Sequence, residues 1–290
     1  MPTRLEGEPV AAPVRAAVDE RVRALAAEGS PPTLATVRMT DDPAAARFME
    51  LKHEACADHG IGTRATAVPP DAPADRLYGA VREASDADAV DAVFVQVPLP
   101  GHVDESRVRR LVDPAKDADC FHPANLGRLV AGDPRIEPAT PRGVLRLLDA
   151  YDVDLAGADV ALVGRSTAIG RPLANLLLRR SPGPDATVTV CHSRTRDLGA
   201  KTRAADVVIT AAGRPGLVDG SMLAEGATVI DVSATRVAAD AGSGYEVVGD
   251  VEFESASERA GAITPVPGGV GPMTMAMLLD NVVTLAERRA

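Results

Sequence analysis

The chain has 290 residues, a net charge of -10 and a hydrophobic content of 46%. This length is enough for two ordinary domains, and no apolar run approaches a membrane span, so we expect a soluble two-domain protein. Acidic residues outnumber basic ones 41 to 31, which argues against nonspecific nucleic-acid binding, and only Lys52, Lys116 and Lys201 are lysines. This balance suggests adaptation to salt or a GC-rich coding bias, which composition does not separate.

The first half of the chain alternates strand-like and helix-like segments, the pattern of parallel βαβ units. The predicted strands are Leu34–Val37, Arg64–Val68 and Ala92–Val97. The best-marked helix runs from Pro43 to about His59, because Asp42 can cap it and Pro43 suits its first position.

After a linker at 132–138, the second half repeats the same alternation and opens with a helix at Pro141 that Thr140 can cap. Tyr245–Val248 is predicted as an edge strand. The final helix runs from Pro272 to about Arg288, and periodicity leaves open whether it docks on the first domain. The main strands predicted here are Asp159–Val163, Thr187–Cys191, Val207–Thr210 and Thr228–Val232.

The segment from Gly164 to Pro172 joins an apolar strand to a helix through a glycine turn. Gly164 allows a tight turn, Gly170 allows close packing of helix on strand, and the free amides at the helix start favour a pyrophosphate. Ser166 stands where the common dinucleotide fingerprint has its second glycine, and the spacing is one residue longer. The segment is therefore either a nucleotide site or an ordinary βα turn.

The next strand ends in Cys191–Arg196, with the sequence CHSRTR, where an NAD enzyme usually carries an acid for the ribose. Hydroxyl and guanidinium groups there, together with Arg165, suit a 2′-phosphate, so NADP is favoured over NAD. The alternative is that these groups are solvated loop charges.

Three polar side chains of the first half are candidates for chemistry. Lys52 lies four residues after Phe48 on the capped helix, and a lysine, unlike an arginine, can release a proton. Gln96 follows an apolar strand at the end where open α/β sheets bind ligands. Asp119 lies with Asp117 in an acidic loop that could hold the amino groups of a heterocycle. Each also has a plain interpretation as a solvated or structural side chain.

Two other sequence patterns bear on function. Thr264–Thr274, TPVPGGVGPMT, is a rigid Pro/Gly segment that suits close approach of a flat ligand or simply leads into a helix. His53, Cys56 and His59 recur on one helix but spread over too much of its face to converge, so no metal site is expected.

The three cysteines and the N-terminal segment, which lacks an apolar secretory core, favour a reducing cytoplasm.

Together these motifs resemble the bifunctional methylenetetrahydrofolate dehydrogenase/methenyltetrahydrofolate cyclohydrolase family over nearly the whole chain. The matching segments are Phe48–Lys52 (family tyrosine-xxx-lysine), Val95–Pro100 (VQLPLP), Lys116–Leu129 (KDVDGFHPxNxGRL), Thr140–Gly143 (TPRG), Gly164–Pro172 (GxSxxxGxP), Gly249–Val251 (GDV) and Thr264–Thr274 (TPVPGGVGPMT).

The resemblance implies a fold of two α/β domains around a cleft, usually as a homodimer. Residues 1–139 plus 268–290 would form the folate-binding catalytic domain, and residues 140–267 a Rossmann-like NADP-binding domain. Lys52 would be the catalytic amine, supported by Gln96, and Asp119 would hold the pterin. The implied folate-lining residues are Phe48, Val95, Gln96, Val97, Pro267, Gly268, Gly269, Val270 and Gly271, and the implied NADP-binding residues are Gly164, Arg165, Ser166, Ser193 and Ala234.

The implied reaction oxidises 5,10-methylenetetrahydrofolate with NADP and hydrolyses the product to 10-formyltetrahydrofolate. Four departures from the family pattern stand out: Phe48 for tyrosine, Glu54 for a basic residue, Cys120 for glycine, and DVSAT at Asp231–Thr235 for DVGxN. The loss of the tyrosine hydroxyl puts cyclohydrolase efficiency in doubt. The rival functions are therefore a dehydrogenase with little cyclohydrolase activity and a noncatalytic NADP-binding protein.

Overall fold

The structure is a computed structural model that describes residues 1–180, 182–238 and 244–289. The chain divides into two compact units. The first unit is Pro13–Pro138 with Met275–Ala290, and the second unit is Met1–Ala12 with Ala139–Thr274. None of the described helices is long and apolar enough to cross a membrane.

The secondary structure follows the predicted alternation. The strands are β1 (Thr3–Arg4), β2 (Thr33–Arg38), β3 (Gly62–Ala67), β4 (Ala92–Val95), β5 (Asp159–Val163), β6 (Thr187–Cys191), β7 (Val207–Thr210), β8 (Thr228–Asp231), β9 (Thr235–Ala238), β10 (Tyr245–Val248) and β11 (Ala262–Ile263). The helices are α1 (Glu8–Ala27), α2 (Pro43–Asp58), α3 (Ala74–Asp86), α4 (Glu105–Leu111), α5 (Pro123–Val130), α6 (Ala139–Ala150), α7 (Gly170–Leu177), α8 (Leu198–Arg203), α9 (Phe253–Arg259) and α10 (Val270–Glu287).

The first unit contains a parallel sheet in the order β3-β2-β4. Its core is formed by apolar side chains of β2, β4, α3 and α4, among them Val37, Val93 and Leu77. Helix α2 begins as predicted, because the Asp42 carboxylate accepts a hydrogen bond from the Ala44 amide at 2.9 Å. Every residue of β3 is exposed, so this strand forms an open edge of the sheet.

Helix α10 contributes its residues from Met275 onward to the first unit. There the Arg21 guanidinium of α1 donates to Asp280, Thr284 and Glu287 at 2.5, 2.8 and 2.7 Å. The docking of the last helix, which the sequence left open, is thus on the unit that contains most of the first half of the chain.

The second unit is built on a six-stranded parallel sheet in the order β1-β11-β8-β7-β5-β6. After β6 the chain crosses to the other side of β5 to form β7, so the loops after β5 and β7 border the topological switch point of the sheet. Ligands of doubly wound folds bind in this crevice. Tyr245–Val248 is a strand as predicted, and β10 pairs antiparallel with β9 in a separate two-stranded sheet, not with the six-stranded sheet.

The compact units differ from the predicted domain limits at two segments and at the single residue Ala139, which belongs to the second unit. Met1–Ala12 and residues 268–274 group with the second unit, whereas the sequence placed them in the first domain. The cause is backbone pairing: Leu5 donates to the Ile263 carbonyl at 2.9 Å and Gly7 donates to Gly268 at 2.8 Å. Helix α6 also begins at Ala139, so Thr140 lies in its first turn and not at the predicted cap.

Candidate active site and cofactor site

Lys52 is the most unusual side chain of the first unit. It faces inward from α2 and is only 2% exposed. Its Nζ has no hydrogen-bond partner among the described residues. Two rings face it instead, with Nζ 3.3 Å from the centroid of Phe48 and 4.8 Å from that of Phe94. A buried amine that lacks hydrogen bonds is costly for folding, so its retention indicates a functional role.

The electrostatic surroundings of Lys52 suit proton transfer. Burial lowers the pKa of Lys52 to about 7, although the negative charge of Asp119 acts in the opposite direction. Protonated and neutral forms therefore coexist near pH 7, and the amine can both accept and donate a proton. The other two lysines differ: Lys116 donates to the Ser85 and Ala87 carbonyls at 2.7 Å each, and Lys201 is exposed.

Gln96 lies immediately after β4, one residue beyond the end of the strand. Its backbone amide donates to Val37 at 2.9 Å and its Nε2 donates to the Val97 carbonyl at 2.6 Å. The other end of the side chain, Oε1, is buried and has no hydrogen-bond partner among the described residues. Gln96 is thus fixed by its donors and presents a free acceptor, as expected of an orienting amide.

The acidic loop separates the roles of its two aspartates. The Asp117 carboxylate is fully buried and accepts hydrogen bonds at 2.8 Å from the Phe121 and His122 amides and from Asn125 Nδ2. Asp117 therefore stabilises the loop, and the alternative that Asp117 binds the amino groups of a heterocycle loses support. Asp119 is partly exposed and interacts electrostatically with Lys52.

Asn281 of α10 is a contributor to this loop that the sequence did not reveal. Its Nδ2 donates to the Ala118 carbonyl at 3.1 Å and to the Glu137 carbonyl at 2.9 Å. Asn281 is 1% exposed and fixes the backbone next to Asp119. A single asparagine within an apolar helix was the only available signal, and it does not identify a partner 163 residues away.

The glycine turn after β5 forms a tight backbone cradle in the second unit. Gly164 has φ +141°, and a Cβ there would overlap the Ala211 carbonyl oxygen. A Cβ on Gly170 would overlap the Gly164 carbonyl in the same way. The Ser166 hydroxyl accepts from the Ile169 and Gly170 amides at 3.1 and 3.3 Å, so it caps the start of α7. The turn fits a phosphate group, because backbone and not side chains would border it.

The end of β6 lies beside this turn, since the Gly164 amide donates to the Cys191 carbonyl at 2.9 Å. The following loop is ordered by its own hydrogen bonds, in which the His192 amide donates to Thr195 Oγ1 at 2.8 Å. Arg165 and Ser193 are both exposed. Their positions at the ends of the neighbouring strands β5 and β6 suit recognition of a 2′-phosphate.

The three metal-spaced side chains of α2 have separate surroundings. His53 Nε2 lies 2.8 Å from Thr36 Oγ1, and His59 Nδ1 lies 2.5 Å from Asp19 Oδ1. Cys56 is buried, and its burial raises the pKa of the thiol to about 12. Within the described part of the chain, no cluster of three metal-ligating side chains occurs.

The Pro/Gly segment belongs to the second unit up to Thr274. The Val266–Pro267 peptide bond is cis and Gly268 has φ +111°. A Cβ on Gly7 would overlap the Gly269 carbonyl, so the segment packs closely against the N-terminal strand region. Val270 is 4% exposed and begins α10.

Comparison with known proteins identifies the family. The model of the tetrahydrofolate dehydrogenase/cyclohydrolase catalytic domain matches residues 5–119, and the model of the NAD(P)-binding domain of the same family matches residues 138–290. The chain belongs to the tetrahydrofolate dehydrogenase/cyclohydrolase family.

Relatives support this membership over the full length. The "Bifunctional protein FolD" of Natronomonas pharaonis is 53% identical, and the match covers 98% of this chain and 95% of the relative. A solved dehydrogenase/cyclohydrolase from Campylobacter jejuni has a TM-score of 0.91 at 38% identity and covers 100% of both chains. The Trypanosoma brucei enzyme, solved with NADP and an inhibitor, has a TM-score of 0.92 at 38% identity and covers 99% of this chain and 98% of its own.

The predicted fold class, enzyme class, pair of activities and NADP cofactor are thereby confirmed. As a tetrahydrofolate dehydrogenase/cyclohydrolase, the chain oxidises 5,10-methylenetetrahydrofolate and hydrolyses 5,10-methenyltetrahydrofolate. Halophilic adaptation is also supported, because the relatives include proteins of Haloquadratum walsbyi and Halobacterium salinarum. The catalytic and binding roles of individual residues remain predictions.

The structure shows the surroundings of three of the four departures from the family pattern. Phe48 keeps a ring against the Lys52 ammonium without a hydroxyl. Glu54 pairs with Arg47 at 2.8 Å on the exposed face of α2. Cys120 occupies the position of a family glycine with φ +54°, a conformation that costs a non-glycine residue about 1 kcal/mol.

Proposed function

We propose that Lys52 carries the proton transfers of methenyltetrahydrofolate hydrolysis, with Gln96 orienting it and Asp119 binding the pterin. The observation that supports this proposal most is the environment of Nζ, which is buried, has no hydrogen-bond partner within the described part of the chain and faces aromatic rings. A neutral Lys52 can accept the proton of the attacking water, and a protonated Lys52 can donate to the nitrogen that leaves during ring opening.

Gln96 would act through its free Oε1. A hydrogen bond from the Lys52 ammonium to this oxygen would hold the amine in one rotamer while the charge is present. Asp119 would accept hydrogen bonds from the amino and ring N–H groups of the pterin, a charge-assisted contact that fixes the ring. In the first unit, Phe48, Val95 and Val97 are the further proposed substrate contacts, and the lining role of Pro267–Gly271 stays a prediction from the sequence.

The oxidation step requires positioning more than proton transfer. NADP, when bound, supplies the hydride acceptor for the methylene carbon. Gly164 and Ser166 would bind the pyrophosphate at the backbone cradle, Arg165 and Ser193 would bind the 2′-phosphate, and the backbone of Ala234 would contact the nicotinamide end. The folate nitrogen stabilises the cation that develops as hydride departs, so this step needs no acid or base from the chain.

A second candidate is a dehydrogenase with weak cyclohydrolase activity, and Phe48 favours it. Its ring is 42% exposed and lies over Lys52, but it has no hydroxyl to relay or order a proton. One coupled assay separates the candidates. The unsubstituted enzyme is mixed with methylenetetrahydrofolate and either NADP⁺ or NAD⁺, and the reduced cofactor and methenyltetrahydrofolate are followed by their absorbance. Methenyltetrahydrofolate that accumulates in step with reduced cofactor would establish the second candidate.

We further propose a cytoplasmic homodimer. The exposed edge of β3 supports the dimer, because a six-residue strand with free backbone groups on one side is a ready pairing surface. Sedimentation of the full chain at high salt tests this assembly, and a mass equal to one chain at micromolar concentration would contradict it.

A further inference from the structure

The loop after β7, Ala211–Arg214, borders one side of the crevice at the switch point of the second unit. Its residue Ala211 lies against Gly164 so closely that a Cβ on the glycine would overlap the Ala211 carbonyl oxygen. The next three backbone amides all donate to one carboxylate: Ala212 and Gly213 to Asp250 Oδ2 at 2.6 and 3.2 Å, and Arg214 to Asp250 Oδ1 at 2.5 Å. The buried Asp250 carboxylate therefore fixes the backbone conformation of the loop after β7.

Ser233, in the loop after β8, completes this arrangement. Its hydroxyl donates to Asp250 Oδ2 at 2.7 Å and accepts from the Gly213 amide at 3.2 Å. The Ser233 hydroxyl thus bridges the Asp250 carboxylate and the Gly213 amide of the loop after β7. The Ser233 amide also donates to Asp231 Oδ1 at 3.1 Å. A glycine at this position, as in the family pattern, would keep the last of these bonds and lose the other two.

We infer that Ser233 is a positioning residue that locks the loop of Ala211–Arg214 against Asp250 and so preshapes the NADP crevice of this chain. The inference rests on the proposed placement of NADP at the Gly164 cradle. Its physical basis is that an anchored loop loses less conformational entropy when a ligand binds, whereas a loosened loop must be ordered at that moment.

The test compares Ser233→Ala with a matched control, Ser221→Ala. The Ser221 hydroxyl also donates to an aspartate, Asp219 Oδ1 at 2.6 Å, but Ser221 is exposed and lies on the 3₁₀ helix Gly220–Met222. Without cofactor, hydrogen exchange of a peptide that covers 211–216 is measured by mass spectrometry. With cofactor, the Kd for NADPH is measured by fluorescence titration. We expect Ser233→Ala to accelerate exchange at 212–214 and to raise the Kd about tenfold, the scale of one hydrogen bond to a buried charge, and the control to change neither.

Two further variants keep the outcomes distinct. Ser233→Gly carries the family residue and tests the same loss if the alanine variant does not fold, while Ser233→Thr retains a hydroxyl and should restore slow exchange and tight binding. Arg165→Ala tests the crevice itself. If Arg165→Ala weakens NADPH binding and removal of the Ser233 hydroxyl changes neither exchange nor Kd, the positioning role is wrong and the cofactor placement stands. If neither substitution alters the Kd, the proposed cofactor placement is wrong and the inference fails with it.

Discussion

Substitution of Lys52 by methionine should separate the two activities and reveal what the buried amine costs the fold. Methionine preserves the length and packing of the side chain while removing its proton. We expect NADPH formation to persist at a reduced rate, whereas enzymatic hydrolysis of methenyltetrahydrofolate should fall about 100-fold or more, the usual scale for loss of a general acid or base. Lys201→Met is the matched control, because Lys201 is exposed on α8.

The stability effect of Lys52→Met follows from the pKa. Burial lowers the pKa of Lys52 from 10.5 to about 7, so between these values the folded chain binds fewer protons than the unfolded chain, and the free energy of unfolding of the parent rises with pH. Burial of the amine therefore lowers the free energy of unfolding of the parent by about 4 kcal/mol at pH 7 and by about 2 kcal/mol at pH 9. Lys52→Met should remove this penalty, but loss of the ammonium contacts with the Phe48 and Phe94 rings offsets about 1 to 2 kcal/mol of the resulting increase in the free energy of unfolding.

The measurement is denaturant unfolding of parent and variant at fixed salt across this pH range, beside a hydrolysis assay at mildly acidic pH in a weakly nucleophilic buffer. The stability advantage of Lys52→Met should shrink by about 2 kcal/mol from pH 7 to pH 9. An advantage that is absent or constant over this range would refute the lowered pKa. Wild-type hydrolysis by a folded, folate-binding variant, after subtraction of the spontaneous rate, would refute the catalytic assignment.

Phe48→Tyr should raise the rate of hydrolysis relative to oxidation by restoring a hydroxyl near Lys52, and an unchanged ratio of the two steady-state rates would show that this chain does not need it. Combined replacement of Arg165 and Ser193 by alanine should weaken NADP far more than NAD in binding titrations, because only NADP carries the 2′-phosphate; equal losses would contradict that contact. Asn281→Leu should lower the free energy of unfolding by about 1 to 3 kcal/mol and raise the KM for folate, since the Ala118 carbonyl loses a buried donor; a stable variant with normal KM would count against the positioning of this loop. Transfer from molar salt to dilute buffer should lower Tm and activity as carboxylate repulsion loses its screening, and an unchanged Tm would point to coding bias as the cause of the acidity.

Strong local patterns made most of the fold predictable. The predicted strands Asp159–Val163, Thr187–Cys191 and Val207–Thr210 agree with the structure to the residue. Each is a short run of residues with high β propensity, and turn or loop residues flank it on both sides. The two-residue strands β1 and β11 were missed, since two residues cannot show a period. Their pairing also explains why the predicted domain limits differ from the compact units.

The candidate site was predictable in residue type and only partly in environment. Lysine in an arginine-rich chain pointed to Lys52, but its contact with the Phe94 ring depends on strand β4, which begins 40 residues later in the sequence. The sequence could not decide between Asp117 and Asp119, because both are acidic residues of one loop and only burial separates them. Asp250 lies in the GDV motif, but its role as the acceptor of three amide hydrogen bonds depends on the loop after β7, which lies 36 to 38 residues earlier in the sequence.

The parallel pairing of β1 with β11 has a consequence for biosynthesis. Thr3 and Arg4 pair with Ala262 and Ile263, so the ribosome releases this edge strand long before the strand that pairs with it. While the intervening residues emerge, β1 has no strand with which to pair, and the six-stranded sheet stays incomplete until β11 is released. A nascent chain arrested after β8 should therefore protect β5 and β7 from proteolysis while the first residues remain cleavable.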